Sequence, residues 1–122
     1  MLFQAVLFGG LSICCELTSM GNDYTISVYG GERPHVGSVV MAIARPSLTG
    51  EGMSATSSVL NAVGHKDEAV ARMFAEAVAI EKGCTAVCSC GIHIDAITPE
   101  QLELVRQASE RLLEKVLNSL CE

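Results

Sequence analysis

The sequence contains few aromatic residues, few basic residues and no long apolar run. It has no Trp, two Tyr and three Phe among 122 residues, so the core must be aliphatic and a ligand finds few rings to stack on. Eight basic residues stand against 14 acidic ones, for a formal net charge of −6, which excludes an extended nucleic-acid or anionic-membrane surface. No segment reaches the roughly 20 apolar residues of a membrane span.

The length and the continuous apolar pattern predict a single domain over residues 1–122. The opening stretch, MLFQAVLFGGLSICC, has no basic residue before its apolar run and so lacks the usual form of an export signal. We therefore expect a cytoplasmic protein whose six cysteines stay reduced. Burial as small hydrophobic residues explains all six cysteines better than a zinc or iron–sulfur site does.

The first two thirds of the chain predict β-strands. The segments Leu11 to Met20 and Tyr24 to Gly30 flank a turn at Gly21 to Asp23 and are predicted to form a hairpin. The segment Val36 to Ala44 is apolar at nearly every position, which predicts a central strand covered on both faces. A fourth strand is predicted from Met53 to Gly64, which is rich in Ser, Thr and Val.

The last third changes to a helical period. Lys66 to Lys82 is predicted as an amphipathic helix, Cys84 to Ile92 as a short buried strand, and Thr98 to Gln101 as the capped start of a second helix. The predicted order is β-β-β-β-α-β-α, an α+β domain with a mixed, mainly antiparallel sheet and two helices packed on one face. Whether Phe3 to Phe8 adds a strand is left open. The predicted apolar stripes are Val70, Met73, Phe74, Ala77 and Val78 in the first helix and Leu102, Val105, Leu112, Val116 and Leu120 in the second.

Three short segments each place one histidine at a strand boundary: GERPHVG with His35, GHKDE with His65, and GIHID with His93. Because such boundaries can meet at one end of a sheet, these side chains are candidates for a common site. In the first segment the proline restricts its neighbours, and Arg33 suits bidentate contact with a phosphate or carboxylate. The alternative is an ordinary turn in which Arg33 pairs with an acidic neighbour.

The segment GHKDE opens a helix, where free backbone N–H groups favour an anion. With Lys66 and His65 beside them, these groups could hold a phosphate or carboxylate. The ordinary alternative is that Asp67 and Glu68 already satisfy the helix end and that Lys66 is solvated. From these residues alone, the ordinary alternative is the favoured one.

In GIHID, His93 and Asp95 lie two residues apart and share a face if the backbone stays extended. Such a pair can orient an imidazole, bind a metal or act as acid and base, whereas Asp95 could also only brace the following loop. The sequence has no metal-ligand spacing, nucleophile elbow, P-loop or dinucleotide motif. Catalysis therefore has no recognisable signature.

The segments GGERPHVGSVVMA, TSSVLNAVGHKDE and CGIHIDAITPEQLELV, with the closing helix, resemble the small LpdD-type proteins encoded with UbiD-type decarboxylases and UbiX-type flavin prenyltransferases. The resemblance covers roughly residues 11–120. It implies a chaperone without enzymatic activity. Such a protein binds the reduced prenylated FMN made by the prenyltransferase and delivers it to the decarboxylase.

The resemblance also implies that the cationic groups of this acidic chain bind one common ligand. We expect Lys66 at the helix start, helped by Arg33, to hold the phosphate, and Tyr29 and Met53 to cover a ring face. The scarcity of aromatic residues suggests a site completed in a homo-oligomer, a dimer or a larger assembly. The expected cofactor-binding residues are Arg33, His35, His65, Lys66, His93 and Asp95, of which His35 and His93 with Asp95 contact polar edges of the flavin or its ribityl hydroxyls.

The sequence is also consistent with two other functions. One is a small metal-dependent or acid–base enzyme that uses the three histidines and Asp95, and stoichiometric metal in the purified protein would favour it. The other is a non-catalytic assembly subunit of a decarboxylase complex, which would co-purify with its partner and have no affinity for flavin.

Overall fold

A computed structural model describes residues 1–62 and 65–121, with the backbone but not the side chain of His65. These residues form six strands and two helices, and the predicted α+β class is confirmed. The elements are β1 (Leu2–Val6), β2 (Ser12–Met20), β3 (Asp23–Gly31), β4 (Ser38–Pro46), β5 (Met53–Asn61), α1 (His65–Lys82), β6 (Thr85–His93) and α2 (Pro99–Leu120).

All six strands form one sheet in the order β1-β2-β3-β6-β4-β5. The pair β3 and β6 is parallel, and the other four neighbouring pairs are antiparallel, so the predicted mixed, mainly antiparallel sheet is confirmed. The sheet has one strand more than predicted, because Leu2–Val6 pairs with β2 at the edge. The fourth predicted strand ends at Asn61, and its last two predicted positions, 63 and 64, lie outside the described residues.

The core lies between the two helices and one face of the sheet. Burial alternates along the strands, as the period of two requires when one face is covered. Cys15, Val28 and Cys90 stand side by side across three strands and are almost inaccessible. Burial raises the pKa of the Cys15 thiol to about 12, so the thiol stays protonated and unreactive. The buried thiols therefore act as small hydrophobic residues.

The remaining cysteines only partly follow the prediction that all six are buried. Cys84 and Cys88 are buried, whereas Cys14 is half-buried and Cys121 is exposed. Cys14 departs from the prediction because it points away from the helices, on the face opposite to Cys15. Cys121 lies in the last turn of the chain, at the end of α2.

Strand β4 corrects the prediction of coverage on both faces. Val40 and Ala42 face the helices and are fully buried, but Met41 and Ile43 on the other face are 40% and 47% exposed. The prediction was wrong for the single chain because both helices pack on the same face of the sheet. The uncovered side, which we call the open face, includes Glu16, Ser27, Tyr29, Val39, Met41, Ile43, Leu60, Val87 and Ser89.

Helix α1 packs more closely on the sheet than its predicted stripe implies. Val70, Phe74 and Val78 are buried as predicted, whereas Met73 and Ala77 are only half-buried. Small side chains complete the inner face, and they let the helix backbone approach the strands. These additional buried residues are Ala71, Ala75 and Ala79.

Helix α2 begins with the predicted capping box. The Thr98 hydroxyl accepts a hydrogen bond from the Gln101 backbone N–H at 3.1 Å, and the Gln101 side chain accepts one from the Thr98 N–H at 3.0 Å. Leu102 departs from the predicted stripe, because it is 44% exposed. Among the described residues, no helix is both long and apolar enough to cross a bilayer.

Candidate functional site

One end of the sheet gathers the segments that carry the candidate residues. Because β3 and β6 are parallel, their carboxyl ends lie together, with Gly31 opposite His93. Strand β4 begins and β5 ends at this same edge, where Ser38 pairs with both Cys90 and Asn61. We call this region the site edge, meaning residues 32–37, 65–67 and 92–95. It lies where strands end and is not one of the two edge strands of the sheet.

Arg33, His93 and Asp95 form a triangle at the outer rim of the site edge. The Arg33 guanidinium lies 2.9 Å from Asp95 Oδ1 and 2.8 Å from His93 Nε2, and that nitrogen lies 2.8 Å from Asp95 Oδ1. A single imidazole nitrogen cannot both accept from Arg33 and donate to Asp95, so only one of these two contacts of His93 Nε2 is a hydrogen bond at a time. The hydrogen bond from His93, and then the Arg33 charge, lower the pKa of Asp95. This carboxylate therefore stays ionised and holds Arg33 in place.

The contacts of Arg33 are readily exchanged. Its side chain is 69% exposed and that of Asp95 is 64% exposed, so water competes with their ion pair. An incoming anion could replace Asp95 at Arg33 without leaving a buried charge unpaired.

Asp67 is the buried centre of the site edge. Only 3% of this residue is exposed, and its Oδ1 accepts from the Ile92 backbone N–H at 3.1 Å and from Lys66 Nζ at 3.0 Å. The Lys66 ammonium also donates to the Ile92 carbonyl oxygen. Lys66 is therefore not solvated, contrary to the ordinary interpretation of GHKDE, because its charge is turned toward the end of β6.

His35 connects the outer triangle to the buried carboxylate. Its Nδ1 donates to the Arg33 carbonyl oxygen at 3.1 Å, and its Nε2 lies 3.4 Å from Asp67 Oδ2. The ring meets that of His93 edge to face, with the centroids 6.2 Å apart. The two histidines that lie 58 positions apart in sequence are therefore neighbours in one polar cluster.

Two glycines allow the chain to pack this tightly. Segment 32–37 runs along the end of β6, where Glu32 N–H donates to the His93 carbonyl oxygen at 2.7 Å and Gly37 N–H to that of Cys90 at 2.9 Å. A Cβ on Gly91 would overlap the backbone carbonyl of His35, and one on Gly37 would overlap the Asp67 carboxylate. Gly91 is required because its neighbour is backbone, and Gly37 is required because its neighbour is the buried, hydrogen-bonded carboxylate of Asp67.

The structure brings together five of the six residues predicted to bind a cofactor: Arg33, His35, Lys66, His93 and Asp95. The sixth is His65, whose side chain lies outside the described residues. The role of Asp67 as a shared partner and the need for the two glycines were not predicted from the sequence. A glycine directly beside two of the histidine segments, in HVG and CGI, was the available signal.

Of the two residues expected to cover a ring, only Tyr29 lies near the site edge. It lines a shallow pocket of about 320 Å³ on the open face with Pro34, His35 and Val36. Its hydroxyl donates to Glu16 at 2.5 Å, which raises the Tyr29 pKa to about 12. Met53 pairs with Pro46 at the opposite end of the sheet, so the expectation that it joins this site was wrong.

The site edge does not assemble a metal centre from the side chains that the structure describes. No three His, Cys, Asp or Glu residues among them are grouped as ligands, a statement that leaves out His65. The arrangement instead suits an anion at Arg33 and hydrogen-bonding groups at the two described histidines.

Comparison with known proteins gives one family. The family model described as the prenylated flavin chaperone LpdD-like domain matches residues 8–121. No curated protein matches the chain. Among solved structures, a chain described under "Crystal Structure of a Novel Chaperone Complex for Yeast 20S Proteasome Assembly" has 12% identity and a TM-score of 0.63, over 98% of this chain and 94% of that chain. At this identity the likeness shows a shared fold and nothing about function.

Proposed function

The chain belongs to the LpdD-like prenylated flavin chaperone family, and from this premise we propose that it binds reduced prenylated FMN and delivers it from a flavin prenyltransferase to a UbiD-type aromatic-acid decarboxylase. Its role in this proposal is to carry the cofactor, without catalysing a reaction. The exchange takes place in the cytoplasm, where thiols such as the six of this chain stay reduced.

One structural observation supports the proposal most: an acidic chain collects cationic and imidazole groups at one edge of its sheet. Arg33, His35, Lys66 and His93 lie in one connected network, although the net charge of the chain is −6. Prenylated FMN carries a phosphate, a ribityl chain and an enlarged ring system. Arg33 is the exposed cation of this network, and its guanidinium is suited to bind the phosphate end.

We assign the phosphate first to Arg33. Its guanidinium can form two parallel hydrogen bonds with a phosphate, and its present partners are exposed enough to give way. Lys66 contributes a positive charge nearby, but its ammonium is already bonded to Asp67 and the Ile92 carbonyl oxygen. In the proposal Lys66 therefore orients Asp67 and the end of β6, while His35 and His93 contact polar edges of the cargo.

Titration of the purified protein with reduced prenylated FMN, followed by absorbance under anaerobic conditions, tests this function. Saturable binding is expected, with an affinity about ten- to a hundredfold lower in Arg33→Ala, because a charge-assisted hydrogen bond is worth about 1.5–3 kcal/mol. The matched control is Arg45→Ala, since Arg45 bonds Thr56 and the Pro46 carbonyl oxygen away from the site edge. Absence of saturable binding, or equal binding by both variants, would overturn the proposal.

Delivery is tested separately from binding. Loaded protein is mixed with the apo decarboxylase, and decarboxylation is compared with that obtained from the same amount of free cofactor. Faster or more complete activation by the loaded protein is expected. If the decarboxylase co-purifies with this chain while wild-type protein binds no flavin, the role is that of an assembly subunit instead.

We also propose that two copies of the chain associate through the open face. Met41, Ile43 and Leu60 are 40%, 47% and 76% exposed there, and in the pairing register Val39 is the neighbour of Leu60 and Val87 is the neighbour of Met41. A contiguous apolar area of this kind is typical of an interface. The pocket beside Tyr29 and His35 opens on the same face, so a second copy would add surface to it.

The oligomeric state of Ile43→Asp tests this association by light scattering after gel filtration. Wild type is expected to elute as a dimer or larger assembly and Ile43→Asp as a monomer, because the new charge would be buried. Leu48→Asp is the control, since Leu48 is 91% exposed in the loop between β4 and β5. A monomeric wild type would contradict the association and leave the binding proposal standing.

A further inference from the structure

A second concave feature lies on the helical side of the sheet, between the first halves of α1 and α2. It is a groove of about 470 Å³, within the range of roughly 300–1,000 Å³ that is usual for small-molecule sites. Its lining is mainly apolar, and it explains why Leu102 leaves the predicted core stripe. The apolar lining residues are Ala69, Val70, Met73, Pro99, Leu102 and Val105.

The groove contains a buried polar atom without a partner. Ser109 is among the residues that line the groove, and its buried hydroxyl oxygen has no hydrogen-bond partner within the part of the chain that the structure describes. Ser119, on the same helix, donates to the Val116 carbonyl oxygen as helical serines commonly do. An unsatisfied buried hydroxyl is unfavourable, and it points to a ligand that supplies the missing bond.

The charges around the groove argue against an anion inside it. Glu103 and Glu110 stand at its rim, and both pair with Arg106. The guanidinium is thereby committed to carboxylates, and the hydrogen bond from Arg106 lowers the pKa of Glu103, which stays ionised. The groove therefore favours a neutral, mostly apolar group that has one hydrogen-bonding atom.

Lys66 connects the groove to the site edge. Its side chain lines the groove, while its ammonium contacts Asp67 and the Ile92 carbonyl oxygen. The groove and the site edge are therefore adjacent, with Lys66 common to both.

We infer that the α1–α2 groove binds the ring end of the flavin cargo, with Ser109 hydrogen-bonded to a heteroatom of the ring system. The inference rests on the proposed function and adds to it which part of the cargo lies where. An apolar ring extended by a prenyl-derived ring matches the aliphatic lining, and a ring nitrogen or carbonyl matches the unpartnered hydroxyl. The scarcity of aromatic side chains is then no obstacle, because the ring is held between two helices.

The first test fills the groove from an exposed position. Ala69→Trp places a large side chain in the groove, and Ala69 is exposed, so the variant is expected to fold. Ile80→Trp is the matched control, because Ile80 is 38% exposed on the same helix and does not line the groove. Titration with reduced prenylated FMN should give at least about tenfold weaker binding for Ala69→Trp and unchanged binding for Ile80→Trp.

The second test separates a ligand-binding role of Ser109 from a structural one. Ser109→Ala should raise the melting temperature of the ligand-free protein, since the unsatisfied hydroxyl is removed, and should weaken binding of reduced prenylated FMN about fivefold. A structural role would move stability and affinity in the same direction.

The outcomes are distinguishable from those of the proposed function. If wild type binds the cofactor but Ala69→Trp and Ser109→Ala bind it as tightly, the groove assignment is overturned and the function stands. If wild type does not bind it, both fall.

Discussion

Each end of strand β6 donates a backbone hydrogen bond to an aspartate of another element, and the two aspartates differ in their surroundings. Asp67 accepts a hydrogen bond from the Ile92 N–H at 3.1 Å at the site edge, and Asp23 accepts one from the Thr85 N–H at 2.9 Å at the opposite end, which we call the far edge. Asp67 is 3% exposed and also faces Lys66 and His35, whereas Asp23 is exposed. The same backbone contact is therefore part of a buried network at one end and an isolated surface bond at the other.

The turns at the two edges differ in the same way. At the far edge, residues 47–52 close on themselves, with Ser47 N–H donating to the Gly52 carbonyl oxygen at 3.0 Å and Gly50 N–H to that of Ser47 at 3.1 Å. At the site edge, segment 32–37 is bonded to β6, about 60 positions along the chain. A substitution at the far edge should affect only the residues next to it in sequence, whereas a substitution at the site edge should disturb several segments together.

The largest expected difference between the edges is at their glycines. Gly91→Ala should lower the free energy of unfolding by about 4 kcal/mol, because its Cβ would overlap the His35 backbone and neither backbone segment can move aside. Gly50→Ala should cost only about 1–2 kcal/mol, since Gly50 has φ +83° but open space around it. Urea unfolding of both variants measures this, and equal losses would contradict the difference between the two edges.

The two aspartates provide the next comparison. Asp67→Ala should cost about 3 kcal/mol, because it leaves Lys66 and the Ile92 N–H without their buried acceptor. Asp23→Ala should cost about 1 kcal/mol, the usual value for one hydrogen bond near water. Thermal and urea unfolding give both numbers. A milder loss for Asp67→Ala than for Asp23→Ala would show that the buried network stabilises little.

The exposed rim of the site edge should respond through affinity and not through stability. Asp95→Asn removes the carboxylate that competes for Arg33, so reduced prenylated FMN should bind about two- to fivefold more tightly at neutral pH. His93 and Arg33 lower the pKa of Asp95, so wild-type Asp95 is ionised at neutral pH and the competition is fully present there. Calorimetric titration of both proteins measures the change, and weaker binding by Asp95→Asn would instead identify Asp95 as a cargo contact.

The smallest effect is expected at the end of the chain, where α2 meets the end of α1. Cys121 donates to Glu81 at 2.8 Å, and this bond raises the pKa of the exposed thiol. Glu81→Gln should lower that pKa and speed alkylation of Cys121 by iodoacetamide about twofold at mildly alkaline pH. The buried thiols serve as the internal reference, since their raised pKa keeps them unreactive. An unchanged rate would mean that Glu81 does not control this thiol.

Much of the fold could be predicted from local pattern. Alternation identified β3, apolar spacing identified α1, and the Thr98 to Gln101 capping box marked the first turn of α2. The prediction failed where the local pattern carries no information about which face of a strand the helices cover. The apolar positions of β4 predicted burial on both faces, but which face the helices cover depends on their packing, and Met41 is left exposed.

The residues of the candidate site could be predicted from the sequence, but the contacts between them could not. The segments around Arg33, His35, Lys66 and His93 were recognised because proline, glycine and charge mark strand ends. The sequence could not predict that Lys66 turns toward Ile92, because that contact joins residues 26 positions apart.

The sequence by itself determined the order of the elements from β2 onward, the cap of α2, and the residue types available for a site in an acidic chain with few aromatic residues, because each of these depends on neighbours within a few positions. Only the tertiary structure decided that β3 pairs in parallel with β6, which brings Gly31 beside His93 and closes the site edge. It also decided that Met53 lies at the other end of the sheet and that Ser109 faces a groove. The physical reason is that strand pairing and helix packing depend on burying the whole apolar surface at once, which no short segment specifies.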